Sequence, residues 1–418
     1  MRRGVAALAL GLAVAACSSV SPPPTSGRGH YDVYVRSFGG VVKVTTDGRP
    51  PATFSPGVIA PDGKTLVTIE HNPSNLTTLG RQPLGGPKLT GDSLVGVYDP
   101  PPVAEPQARG TYSDWPLAPD GFSPNGRFLA LERPIGSGRM ADAIEWAVSD
   151  VTTLKAPAVF QLPPSFGFLA LSDDGLRLYL REDLGGGSFQ ARLFRVLAGT
   201  LDGKPIGGPF TGDHVASVIV EGRQFAVVRP GSSGLTVFVL VVDTAKGAIT
   251  KLGLPAGFEA GAPWLLGLSA SKQELYVVNA DAGLAAIVDT RGLRVTRTAT
   301  FQSRALGGLV TDAQAKEEIS GVVRPNAAVV GSILFAPLAG RDILEIDLKK
   351  MRRVTLIETS RAVRQVVASP DGRRLFAVIP PPGSSVLEFD THTGQRVAEF
   401  GAGYPTGPGE ILAVTAGR

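Results

Sequence analysis

Apolar residues in this chain fall in short runs bounded by turn residues, with little sustained helical spacing. Thr65-Leu66-Val67-Thr68-Ile69, Phe128-Leu129-Ala130-Leu131, Arg177-Leu178-Tyr179-Leu180 and Leu375-Phe376-Ala377-Val378 are rich in β-branched, aromatic and aliphatic side chains, which predicts strands. Each run follows a turn: Ala60-Pro61-Asp62-Gly63, Ser123-Pro124-Asn125-Gly126, Ser172-Asp173-Asp174-Gly175 and Ser369-Pro370-Asp371-Gly372. Pro presets φ, Asp or Asn caps its own backbone, and Gly supplies positive φ. Three weaker copies fill the gaps, around Gly222, Lys272 and Gly331.

A second marker closes most units, where an apolar strand runs into Asp and a turn. Asp243-Thr244-Ala245-Lys246-Gly247, Asp289-Thr290-Arg291-Gly292 and Asp390-Thr391-His392-Thr393-Gly394 are the clear copies, with looser ones at Asp347 and Asp150. Taking residues 63, 126, 175, 222, 272, 331 and 372 as first markers gives intervals of 63, 49, 47, 50, 59 and 41. Those bracket the roughly 40–50 residues of a four-stranded propeller blade. The expected fold is therefore an all-β β-propeller of four-stranded antiparallel blades, eight by repeat count, or seven if the unit around Gly331 is an insertion.

The order of strand, Ser-Pro-Asp-Gly turn, two strands, Asp-Thr-x-x-Gly turn and strand resembles the bacterial YncE-like propellers over about residues 31–418. That resemblance implies an extracytoplasmic binding protein, with lactonase-type propellers as more distant relatives. No catalytic motif is matched, so no catalytic residue is carried over.

A ring of blades must close to hide its sheet edges. Residues 409–418 read as an inner strand, while Asp32–Arg36 and Val41–Thr46 read as the next two strands. One blade shared by both ends of the chain is expected.

The N-terminal region carries a different signal. Arg2 and Arg3 precede an apolar stretch from Gly4 to Ala16 that is too short to span a bilayer as a helix and is laid out like a secretory signal peptide. Val14-Ala15-Ala16-Cys17 resembles the lipobox of bacterial lipoproteins, which implies lipidation of Cys17 and membrane anchoring by its acyl chains. Cys17 is the single cysteine of 418 residues, so no intramolecular disulfide or cysteine cluster is possible. Residues 1–16 are thus read as signal peptide, 17–30 as lipidated Cys and Ser/Pro/Gly tether, and 31–418 as one propeller domain. The expected location is outside the cytoplasmic membrane: the outer face of the cell membrane, or the periplasm or outer membrane of a diderm.

Net charge is +4, or +2 once Arg2 and Arg3 are removed, which is no nucleic-acid signature. The densest basic run, Lys349-Lys350-Met351-Arg352-Arg353, reads as a solvated hairpin, with contact to anionic lipid or wall polymer as the functional alternative.

Catalytic patterns are scarce: there is no Gly-x-Ser-x-Gly elbow, His-Glu-x-x-His or phosphate loop. His30 and His392 are expected at the surface, and His71 and His214 near strand ends where loops converge. Trp146 reads as core, whereas Trp115 and Trp264 precede inner strands and are the aromatic candidates for a ligand face. The possible ligand-face set is Trp115, Trp264, His71 and His214. Together these features point to a monomeric, lipid-anchored, non-catalytic scaffold for an envelope protein or polymer, with no cofactor, metal or nucleic acid. The alternative is a lactonase-like or other hydrolase at the channel mouth.

Overall fold

A computed structural model describes residues 29–417, except 38–39, 102–120, 137–140, 156, 232–234, 260–263, 302–326, 339–341, 380–384 and 401–408. Trp115 lies outside the described residues, as does 311–318, the one short stretch whose sequence predicts a helix.

Eight antiparallel sheets form the fold, and their blades are numbered from the first whole one along the chain. Blade 1 comprises Gly57–Ile59, Thr65–His71, Leu76–Pro83 and Leu89–Val95. Blade 2 has Phe128–Ile135, Ala143–Asp150 and Ala158–Leu162, with the inner position held by a bridge between Phe122 and Leu129. Blade 3 has Phe166–Leu171, Arg177–Gly185 and Ser188–Arg195, its outer position shared by Thr200–Leu201 and Gly207–Thr211. Blade 4 runs Asp213–Val220, Arg223–Arg229, Phe238–Asp243 and Ala248–Gly253; blade 5, Leu265–Leu268, Glu274–Asn279, Leu284–Asp289 and Arg294–Thr300. Blade 6 runs Ala328–Val330, Ile333–Pro337, Ile343–Asp347 and Arg352–Ile357; blade 7, Gln365–Ala368, Arg374–Ile379, Ser385–Asp390 and Arg396–Phe400.

Blade 8 joins the two ends of the chain. Glu410–Ala416 is its inner strand, paired from Glu410↔Arg36 to Ala416↔Tyr31, and Tyr31–Ser37, Gly40–Thr45 and Ala52–Phe54 follow outward. The shared closing blade and the count of eight both hold.

The core explains why the strands are apolar throughout rather than alternating. Eight buried clusters each fill one gap between neighbouring blades, from blades 1 and 2 around to blades 8 and 1. Successive residues of a middle strand therefore enter opposite gaps: Leu275 and Val277 pack toward blade 4, Tyr276 and Val278 toward blade 6. Outer strands such as Arg294–Thr300 have one covered side at most and are correspondingly polar and exposed.

The sequence markers prove to be two halves of one device. In the strong copies the Ser hydroxyl oxygen accepts from the backbone five residues on: Phe128 N–H to Ser123, Arg177 to Ser172, Arg374 to Ser369, at 2.9–3.0 Å. The Asp of the second marker accepts turn N–H groups, as Asp289 does from Arg291 and Gly292. The Thr beside it then donates to the first turn: Thr244 to Gly222 O, Thr290 to Lys272 O and Thr391 to Gly372 O, at 2.7–2.8 Å. All seven first-marker residues have positive φ, including Lys272 at 59° where a glycine is missing. At Gly175 the conformation is reinforced by space, since a Cβ there would lie 2.5 Å from the Phe128 ring.

Of the three weaker copies, the one around Lys272 keeps the strong turn, with Ser269 Oγ accepting from Glu274 N–H at 3.1 Å, and the other two are different turns. Glu221-Gly222 and Gly331-Ser332 are two-residue hairpin loops closed by Val220↔Arg223 and Val330↔Ile333, which need positive φ but no Ser-Pro.

Antiparallel pairing places the junction of first and second strands and that of third and fourth strands, where the marked turns occur, at one end of the ring, here the turn face. Second-to-third-strand loops and the connections between blades lie at the other end, the crossover face.

Candidate functional site

The crossover face of blades 1 and 2 gathers a set of ionisable side chains that are not part of a turn. His71 ends the second strand of blade 1, just before a loop in which Asn72 Oδ1 accepts from Ser74 N–H and Leu76 N–H. Asp99 lies on the connection to blade 2, where its backbone exchanges two hydrogen bonds with Glu132 at 2.7 and 3.0 Å. This clamp holds its carboxylate 3.3 Å from His71 Nε2.

Beside it, Tyr98 is 1% exposed and donates its phenolic O–H to Glu145. Arg133 also binds Glu145 and lays its guanidinium over the Tyr98 ring at 5.1 Å, while Gln161 donates at 3.1 Å. Burial works to raise the Glu145 carboxyl, but the bonds from Tyr98, Gln161 and Arg133 outweigh it and hold the group below the ordinary carboxylate range. Burial first, and the Glu145 bond second, push the Tyr98 hydroxyl well above its usual value. Glu145 is thus a fixed anion with its acceptors in use, poorly suited to shuttle a proton.

Elsewhere on the same face charges are also matched. On blade 3, Glu182 accepts from Gln190 and Arg192, each at 2.6 Å. On blades 7 and 8, buried Glu410 lies 3.8 Å from Arg36, and the Gln365 amide both donates to Ile411 O and accepts from Ile411 N–H.

The expected ligand-face set is only partly assembled. His71 is at this face and partly exposed, with a carboxylate partner. His214 is corrected to a core position: its ring meets Phe189 edge-on at 5.3 Å, and the Arg181 guanidinium sits over that same ring at 4.3 Å. Trp264 is likewise corrected, being 2% exposed and stacked on Phe258 between blades 4 and 5. Trp146 is fully buried, while His30 and His392 are exposed. Sequence reasoning missed Tyr98, Arg133, Glu145 and Gln161; the one local sign was Glu145 interrupting the apolar strand Ala143–Asp150. Among the described residues no three His, Cys, Asp or Glu side chains come close enough together to hold a metal ion.

Buried His214 makes a pH prediction. Burial, and then the Arg181 charge, lower its pKa from 6.5 to about 3. Between those values the unfolded chain binds a proton that the folded chain refuses, so this residue's contribution to stability is intact above pH 6.5 and lost as pH falls toward 3. From pH 7 to pH 5 the expected loss is about 2 kcal/mol. Denaturant unfolding of the protein and of His214→Gln at both pH values should show that loss only with the histidine. An equal loss in both would place the titration elsewhere.

No protein-family model matches the chain, and no curated relative does. Solved structures do: apo AztD from Citrobacter koseri superposes with a TM-score of 0.54 at 10% identity, covering 92% of this chain and 97% of that one. The dihydro-heme d1 dehydrogenase NirN, solved in complex with DHE, superposes with a TM-score of 0.51 at 11% identity, covering 89% of this chain and 72% of that one. Both are β-propeller proteins, and at these identities the likeness is one of fold.

Proposed function

We propose that this is a lipid-anchored, extracytoplasmic propeller of the YncE-like kind that binds an envelope protein or polymer through its crossover face, without catalysis. The observation that supports it best is the pairing of charges on that face. Glu145, Glu182 and Glu410 are each engaged by arginine, which favours a preformed recognition surface over a proton-transfer centre. Anchoring rests on Cys17 and the segment before it.

Replacing Cys17 by Ala is expected to move the protein from the membrane fraction to the soluble extracytoplasmic fraction, read by fractionation and immunoblot. An unchanged membrane fraction rejects the anchor. Crosslinking of the anchored protein in its own cells, followed by mass spectrometry, is expected to capture a specific partner, and Arg133→Ala should weaken that capture.

A hydrolase reading is favoured by one contact, the His71–Asp99 pair. Turnover of a lactone panel that disappears in His71→Ala would select it over the scaffold.

A further inference from the structure

We infer that the turn face of blades 5 and 6 is a docking surface for an anionic lipid bilayer, which orients the propeller with its crossover face away from the membrane. The inference rests on the anchor at Cys17 for its biology, but its geometry comes from the ring itself.

Where the chain enters the ring is fixed by three contacts. Gly417 N–H donates to His30 O at 2.6 Å, the Tyr31 hydroxyl donates to Asp371 in a blade 7 turn at 2.7 Å, and His30 Nδ1 lies 3.9 Å from Asp47 in a blade 8 turn. All three belong to the turn face. The tether from residue 18 to residue 30 therefore leaves from that face, and at full extension it reaches no more than about 45 Å. The crossover face lies a strand length farther off, about 20 Å.

Charge on the turn face is uneven. Between Asp347 and Arg353 blade 6 carries Lys349, Lys350, Arg352 and Arg353 against the single carboxylate of Asp347, which accepts from the Lys349 and Lys350 N–H groups. Blade 5 adds Arg297, which donates to Lys349 O at 3.4 Å and so abuts the run, and Arg294, 75% exposed and 3.8 Å from Asp289. The turn does not need these cations. Equivalent turns after Asp243 and Asp390 form with Gly247 and Gly394 at positive φ, and blade 6 reaches the same conformation at Met351, φ 50°. Arg373, 75% exposed on blade 7, lies 3.8 Å from Asp371, so the excess of positive charge stays on blades 5 and 6. With the whole protein only weakly basic, this local cluster is what an anionic surface would select.

All blades form within residues 30–417, so the chain from Ser18 to Arg418, lacking both acyl chains and the apolar leader, is the material for the test. It is mixed with vesicles of phosphatidylcholine alone, or with about 30 mol% phosphatidylglycerol, and sedimented at low salt and at about 1 M salt. Binding is expected only with phosphatidylglycerol and only at low salt. The combined Lys349→Glu, Lys350→Glu, Arg352→Glu and Arg353→Glu variant should bind at least about a hundredfold more weakly at an unchanged melting temperature, since each cation at such a surface contributes about fivefold. Lys64→Glu with Lys155→Glu, on turns of blades 1 and 2, should bind like the unmodified chain.

No binding to phosphatidylglycerol vesicles, or binding that survives the fourfold reversal, overturns the proposal. Retention on a phosphate-rich wall polymer with no vesicle binding also overturns it, in favour of the polymer. Because no acyl group is present, this outcome is independent of the Cys17→Ala fractionation: either result can fail while the other stands.

Discussion

Deleting residues 409–418 is expected to abolish the cooperative fold. Glu410–Ala416 is the inner strand of blade 8, and its removal leaves Tyr31–Ser37 as an open edge facing the channel. Ile411, 1% exposed, packs between blades 7 and 8, and Leu412, 7% exposed, between blades 8 and 1. Two such side chains contribute roughly 3–6 kcal/mol by burial alone. Against a total stability of about 5–15 kcal/mol that is a large fraction, before the lost ladder and the stranded Gln365 amide are considered. Circular dichroism melting and sedimentation of the truncated chain should show a lost or strongly lowered transition and aggregation. A truncated protein that melts like the full chain would show that the strand is dispensable.

Trp264→Ala is expected to lower stability by about 3–5 kcal/mol, read as a shift in the denaturant midpoint. The indole lies in the gap between blades 4 and 5 at 5.8 Å from the Phe258 ring, so its removal leaves a cavity that the two blades cannot readily close. Trp264→Phe should retain most of the stability. A near-neutral Trp264→Ala would return the residue to the surface role its position in the sequence implied.

That contrast shows what the sequence made legible. Turn chemistry is local: a Ser that accepts from five residues ahead and an Asp that caps its own turn announce themselves in four or five letters. Strong copies were therefore readable, and the Gly222 and Gly331 copies less so, because a two-residue hairpin asks only for positive φ. The long intervals of 63 and 59 contain residues 102–120 and 302–326, which lie outside the described set. Closure was legible because an unpaired inner strand at one end of the chain must be completed from the other.

Burial and the crossover-face network were not legible in that way. Trp264 looked like a loop residue because it precedes a strand, but its partner Phe258 comes from the connection between blades, which carries no repeat signal. Tyr98, on the connection between blades 1 and 2, and Glu145, in blade 2, are 47 positions apart, and only the fold brings them into contact. His214 illustrates the same limit, since nothing near it in the sequence announces Phe189 or Arg181 as its neighbours.

The order of strands in blade 8 also has a mechanical meaning. Because Tyr31–Ser37 is flanked on one side by Glu410–Ala416 and on the other by Gly40–Thr45, a pull on the chain just before it cannot peel it away as it would an outermost strand. The force enters at the turn face and runs along the strand axis, so two ladders of hydrogen bonds are loaded in shear and share the tension. The first strand is thereby gripped from both sides by the last and the second.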